Sequence, residues 1–340
     1  MRTIAILNRK GGVAKTTTAV NLAAILARDH GRRVLVADAD SQGNATTFLG
    51  GDRDAVGMAA LLRGEVSAAS PLPLQKTSVE GVRLISGSDE LMDLDLTKAG
   101  DGRADAQCLR KLRALLEETH GTEPPELAAI LYGEPVDYML IDCPPAFNAA
   151  SSAALVAADE VLIPVKLDAF ALEGMANLLQ QIQNMRRINP RLRVLGVLPV
   201  MWYRSEAVVK AEGALRGAGL NVLPRIRRSD RVDDMTYAQA PLIVCSPRSG
   251  PCQDYRRLAA WLEGPAGRGT DCHTSAAALA RNDRTDGVLR EHDVGKRGRG
   301  RPRKERIATA ACAQTSSERR TLPARRDARN DMTEGGAGNG

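Results

Sequence analysis

The chain has 340 residues, 43% of them hydrophobic, which suffices to bury one large core and excludes disorder throughout. Aromatic residues make up only 3%, a composition that favours helices packed on a buried parallel sheet over an aromatic-rich β-sandwich. Acidic and basic residues balance up to Gly264, so the net charge of +6 falls in the segment beyond it. Any attraction of the globular part to nucleic acid must then come from local patches.

In chain order, short apolar runs at 3–7, 34–37, 82–85, 138–141, 161–165, 194–200, 221–223 and 242–244 read as strands buried on both faces. Segments of helical spacing lie between them, including 16–28, where Ala19, Leu22, Ala23 and Leu26 form one stripe, and 171–187. Strands alternating with helices imply parallel crossovers, so the expected class is α/β, a doubly wound and mostly parallel sheet with helices on both faces. Residues 50–73 and 100–105 read as surface excursions, and 121–125 breaks a helix ending near His120. A helix over 254–262 closes the fold, giving an expected domain of 1–264. Residues 265–340 form a low-complexity basic tail expected to be disordered. The six cysteines form no CxxC pair and read as reduced thiols of a cytoplasmic protein. No apolar run approaches the ~20 residues that cross a bilayer.

The strongest local signal is Lys10-Gly11-Gly12-Val13-Ala14-Lys15-Thr16-Thr17, set between the first strand and the first helix. Successive N–H groups in such a turn, with the positive end of the following helix, cradle an anion. Gly11 and Gly12 let the main chain approach phosphate oxygens closely. Lys15 is placed to neutralise β- and γ-phosphates, and the Thr16 hydroxyl to coordinate Mg²⁺. The GxxxxGK[ST] pattern is not met, because Arg9 and Ala14 stand at its glycine positions. If the Ala14 position requires positive φ, its methyl group costs about 1 kcal/mol.

With Lys10 the motif resembles that of the deviant Walker ATPases of the ParA/MinD group, KGGxGK[ST]. The resemblance implies ATP and Mg²⁺ as ligands, and a Lys10 that reaches across a homodimer interface to the partner's nucleotide. It continues in residues 34–46, where Asp38 and Asp40 end a central strand, the place where open α/β sheets bind ligands. By resemblance, Asp40 positions the attacking water and Asp38 organises the magnesium side; Ser41 stands where the family has Pro. Residues 137–145 form a third element, a hydrophobic strand ending in Asp142 and followed by Cys143-Pro144-Pro145. As in a Walker B strand, Asp142 is expected to hold Mg²⁺ through water, with Cys143 a packing residue. Further matches extend the similarity over about residues 2–263, and in the family the Pro224 region lies near the adenine.

Such resemblance implies an ATP-dependent DNA-partitioning ATPase of the ParA/Soj type, associated with the nucleoid. Its ATP-bound sandwich dimer binds non-specific DNA, and a ParB-like centromere-binding partner stimulates the hydrolysis that releases it. DNA contact requires basic residues on one face. Arg225, Arg227, Arg228 and Arg231 match the family's arginine-bearing loop, whereas Arg186, Arg187, Arg191 and Arg193 are also explained by favourable charge at a helix C-terminus. In the tail, residues 296–304 carry Arg299, Arg301 and Arg303 around a Gly-Arg-Pro centre similar to an AT-hook, slim enough for a narrow minor groove. Two other readings stay open: a MinD-like membrane-associated positioning ATPase, for which the tail lacks large apolar residues, and a DNA-binding protein whose nucleotide site is degenerate at Ala14.

Overall fold

The computed structural model describes residues 1–66, 73–97, 108–111, 113–114, 136–168 and 171–268. Among them run the strands β1 (Arg2–Ile6), β2 (Val34–Asp38), β3 (Gln75–Lys76), β4 (Val82–Ile85), β5 (Tyr138–Asp142), β6 (Glu160–Lys166) and β7 (Arg193–Val200). They form one sheet in the order β3-β4-β2-β5-β1-β6-β7, every pairing parallel except that of the short edge strand β3 with β4. The helices are α1 (Lys15–His30), α2 (Asn44–Phe48), α3 (Met58–Arg63), α4 (Leu91–Thr97), α5 (Ala149–Ala157), α6 (Ala171–Met185), α7 (Glu206–Gly217), α8 (Arg231–Ala238), α9 (Leu242–Cys245), α10 (Gly250–Glu263) and α11 (Pro265–Arg268).

Successive strand residues point to opposite faces, and both faces are covered. Ile4, Ile6, Val34, Val36 and Leu140 pack with Leu22, Leu26 and Tyr255 of α1 and α10 on one side. Ala5, Leu35, Met139, Ile141 and Ile163 pack with α5 and α6 residues such as Leu155 and Leu178 on the other. Each fully buried Leu or Ile contributes about 2 kcal/mol. Helix α1 ends at Gly31, whose left-handed backbone (φ 63) lets its N–H reach the carbonyls of the last turn.

The expected α/β sheet is present, with five local differences. Residues 242–244 are helical, not a strand. Pro241 starts the turn, the Leu242 N–H is taken by Asn21 Oδ1 at 2.7 Å, and Val244 faces solvent. Residues 221–223 form no full strand, only a single bridge between Val222 and Val197. The stretch 50–73 is more than a surface excursion, because α3 lies within it and buries Met58, Ala59, Leu61 and Leu62. The closing helix α10 starts earlier than expected, where the Ser249 side chain accepts from the Cys252 N–H and Pro251 occupies the first turn. The described residues past Gly264 form α11, and the Arg2 guanidinium donates to the Gly267 carbonyl at 2.6 Å. The expected features at 100–105, His120 and 121–125 lie outside the described residues.

Candidate functional site

Parallel register sets the site. Asp38 at the end of β2 lies beside Asp142 at the end of β5, and Asp142 lies beside Ile6, the last residue of β1, from which the Lys10–Thr17 loop departs. That loop turns directly into α1. Gly12 (φ 70) and Ala14 (φ 58) both adopt left-handed backbone, so the alanine carries the strain a glycine would avoid. Thr18 helps hold it: its N–H and hydroxyl both donate to the Ala14 carbonyl, and the hydroxyl also meets the buried Tyr255 hydroxyl at 3.2 Å. A Cβ added to Gly11 or Gly12 would meet no atom within 4 Å, so the loop borders open space on that side.

This space is a cleft of about 600 Å³ lined by residues 11–17, with Asp40 and Asn44 on one wall and Ile226, Ser229, Asp230 and Asp233 on another. Lys15 is only 7% exposed. Burial lowers its pKa, while the charges of Asp142 and Asp40 oppose that shift. Asp142 is fully buried and neither carboxylate oxygen accepts a well-formed hydrogen bond. Its pKa is raised well above the ordinary carboxylate range by burial and by the neighbouring Asp38 charge, against which Thr16 and Lys15 pull it down. Burial also raises Asp38, to about 6, although Thr46 hydrogen bonds favour its ionised form. Cys143 is wholly buried with its thiol pushed far up, as befits a packing residue.

An orphaned carboxylate beside a threonine hydroxyl suits a hard divalent cation completed by phosphate oxygens and water. Among the described residues no group of three or more His, Cys, Asp or Glu could hold a metal with protein ligands alone. The Thr16 and Asp142 oxygens therefore fit a cation that arrives with a nucleotide.

Asp38, expected to organise the magnesium side, ends β2 beside Asp142. Its Oδ2 accepts from the Thr46 N–H and hydroxyl, both at 2.8 Å, and its Oδ1 from the Asp40 N–H at 3.3 Å, so it braces the 39–46 segment from beneath. Gly87 closes against it: an added Cβ there would lie 2.8 Å from Asp38 Cγ. Lys10 is half-exposed and forms an ion pair with Asp168 of its own chain. Pro224 does not line this cleft but the adjoining one, because pairing of Leu223 with Val197 and of Ile226 with Pro199 brings Ile226 to the P-loop side instead. Thr46 closes the 34–46 motif but carries no expected role there, whereas Gly87, Asp168 and Tyr255 carry no motif; of these three, only Gly87, next after a buried strand and Ser86, had a local signal at a strand end.

The arginine loop is exposed, but its members differ. Arg227 is tied to the buried Asp254 by three hydrogen bonds of 2.8–2.9 Å. Arg225 lies over the Trp202 ring at 3.6 Å, and Arg231 pairs with Asp234 at 3.3 Å. Arg228 makes no ion pair among the described residues, which leaves it the most available of the four. In the other cluster, Arg193 pairs with Glu160, and Arg186 donates to the Leu192 carbonyl at 2.8 Å. Arg299, Arg301 and Arg303 lie outside the described residues.

A family model described as an AAA domain matches residues 1–194. The chain is 36% identical to the chromosome-partitioning ATPase Soj of Thermus thermophilus, over 76% of this chain and 94% of that protein. It is 35% identical to the chromosome partitioning protein ParA of Caulobacter vibrioides, over 76% and 92%. Among solved structures, cobyrinic acid a,c-diamide synthase of Mycobacterium smegmatis with bound ADP and magnesium superposes with a TM-score of 0.61 at 29% identity, covering 80% of this chain and 98% of that one.

Proposed function

The chain belongs to the ParA/Soj family of partitioning ATPases, and from that membership we propose that it binds and hydrolyses ATP at the Lys10–Thr17 loop to switch its affinity for DNA. The observation that carries this reading is a buried Lys15 facing the charges of Asp142 and Asp40, beside the carboxyl ends of two adjacent strands. Loop amides hold the phosphates, and the Lys15 ammonium, destabilised by burial, gains a triphosphate counter-charge. Thr16, and Asp142 through water, would hold Mg²⁺, which would supply Lewis-acid stabilisation of the phosphate oxygens. Asp40, on the cleft wall, orients the water that attacks the γ-phosphorus as the bond to ADP breaks.

Lys10 leaves Asp168 to reach the nucleotide of a second subunit, so that ATP favours the homodimer. Dimerisation presents the arginine loop twice and strengthens non-specific, salt-sensitive contact with DNA phosphates. Each phosphate contact by Arg228 or Arg231 releases counterions, whereas Arg227 acts mainly by fixing the loop on Asp254. A ParB-like centromere-binding protein stimulates hydrolysis and so ends the DNA-bound phase, and the basic 296–304 segment adds minor-groove contact. Phosphate release from the wild type and from Asp40→Ala, with and without DNA, tests the enzymatic part. A wild type that releases no phosphate under any condition removes it, and an Asp40→Ala variant as active as the wild type removes the role of Asp40.

A further inference from the structure

A second cleft, of about 840 Å³, adjoins the P-loop cleft along Arg227 and Arg228, which line both. Its walls hold five arginines against two carboxylates, Glu212 and Asp254, so positive charge is in excess. Both carboxylates face the wall. Asp254 is 1% exposed under Arg227 and Arg257, and Glu212 accepts from Trp202 Nε1 at 3.0 Å and Arg216 at 2.9 Å. They orient the guanidinium groups without covering them: the Arg216, Arg225, Arg227 and Arg257 side chains each remain at least half exposed. Fixed forks of this kind match phosphate geometry and lose little freedom on binding.

Planar surfaces lie beside these charges. The Arg225 guanidinium stacks on Trp202, the half-exposed Tyr203 lies next to it in the chain, and Trp261 lines the same space. Nucleic-acid bases stack on aromatic rings and on guanidinium planes alike. The volume lies within the range of ligand pockets and exceeds what a bare phosphate needs.

We propose that this second cleft binds a nucleotide unit, its phosphate held by Arg216 and Arg257 and its ring stacked against the Arg225–Trp202 pair and Tyr203. The unit is either a free mononucleotide or an unpaired nucleotide of a strand; the chemistry recognised is the same. This site shares Arg225, Arg227 and Arg228 with the DNA surface proposed above, but it does not depend on the P-loop reading.

Both tryptophans of the chain, Trp202 and Trp261, line this cleft, and neither lines the P-loop cleft. Indole emission is therefore a local reporter. The full-length Lys15→Ala variant, titrated without magnesium with AMP, with a short single-stranded oligonucleotide and with the duplex of the same sequence, isolates the second cleft. The expected result is a saturable change in emission with AMP, or with the single strand, that persists in Lys15→Ala. Arg216→Ala and Arg257→Ala, surface changes outside the P-loop, are expected to raise the half-saturating concentration about tenfold. Response to AMP alone identifies a free nucleotide; response to the single strand identifies a strand. No change with either, a response lost in Lys15→Ala, or one seen only with duplex overturns the proposal. Binding of Mg-ATP by the wild type, followed separately by calorimetry, reports on the P-loop whatever the outcome here.

Discussion

The two edges of the sheet bury carboxylates in opposite ways. At the amino edge, Glu160 is 1% exposed between Arg2 and Arg193, with oxygens 2.5 and 2.8 Å from their nitrogens. Nearby, Asp159 meets Arg113 at 2.6 Å, and Glu263 joins Arg32 and the Tyr138 hydroxyl, each also at 2.6 Å. At the carboxyl edge, Asp38 and Asp142 are equally buried, yet they stand side by side, Asp142 shares one lysine with Asp40, and neither Asp142 oxygen accepts a well-formed hydrogen bond. Close to them Ala14 holds a left-handed backbone. The first edge is arranged for stability and the second against it, as expected where a ligand completes the electrostatics.

Substitutions at the two edges should therefore differ in sign as well as size. Glu160→Ala strips the partner from two arginines and is expected to destabilise by about 3 kcal/mol in urea unfolding; a loss below about 1 kcal/mol breaks the comparison at the amino edge. Lys15→Ala is expected to weaken Mg-ATP binding by roughly 10–100-fold, through loss of a charge-assisted contact, as read by calorimetric titration. An unchanged affinity would place the triphosphate elsewhere.

Asp142→Asn should do the reverse of Glu160→Ala in the ligand-free protein. Removing one of two adjacent buried charges is expected to stabilise by about 1 kcal/mol, a rise of roughly 2–4 °C in Tm. The folded-state pKa values of this pair lie above those of the unfolded chain, so the native state binds the extra protons and stability falls as pH rises. The advantage of the Asn variant is then largest near pH 7.5 and shrinks as pH falls through about 6, where Asp38 titrates. A pH-independent difference in melting temperature contradicts the assignment. The smallest expected effect is that of Ala14→Gly. Relief of left-handed strain, partly offset by the greater entropy of an unfolded glycine, should leave a net gain of about 0.5 kcal/mol; a loss in denaturant midpoint would show that the methyl group packs favourably.

What the chain announced in advance follows from locality. The phosphate loop, Asp40 and Asp142 stand within contiguous strand-turn patterns, and the order of those patterns implied the sheet. Lys10 was legible but its partner Asp168 was not, because the two are 158 residues apart and no spacing links them. Gly87 likewise approaches Asp38 only once β2 and β4 are paired. The apolar run 242–244 is too short for its period to distinguish strand from helix, and Pro241 decided the matter. Helix α3, six residues long, escaped for the same reason. The second cleft was not legible because no spacing in the chain links Arg225 to Trp202 and Trp261.

The central claim is that the occupant of the P-loop governs DNA binding. Its most direct test is retention of the full-length protein on non-specific duplex DNA at fixed salt, with ATP, with ADP and without nucleotide, for the wild type and Lys15→Ala. The account expects tight binding only for the wild type with ATP, and a weak, common baseline in every other case. Six coinciding curves would contradict it.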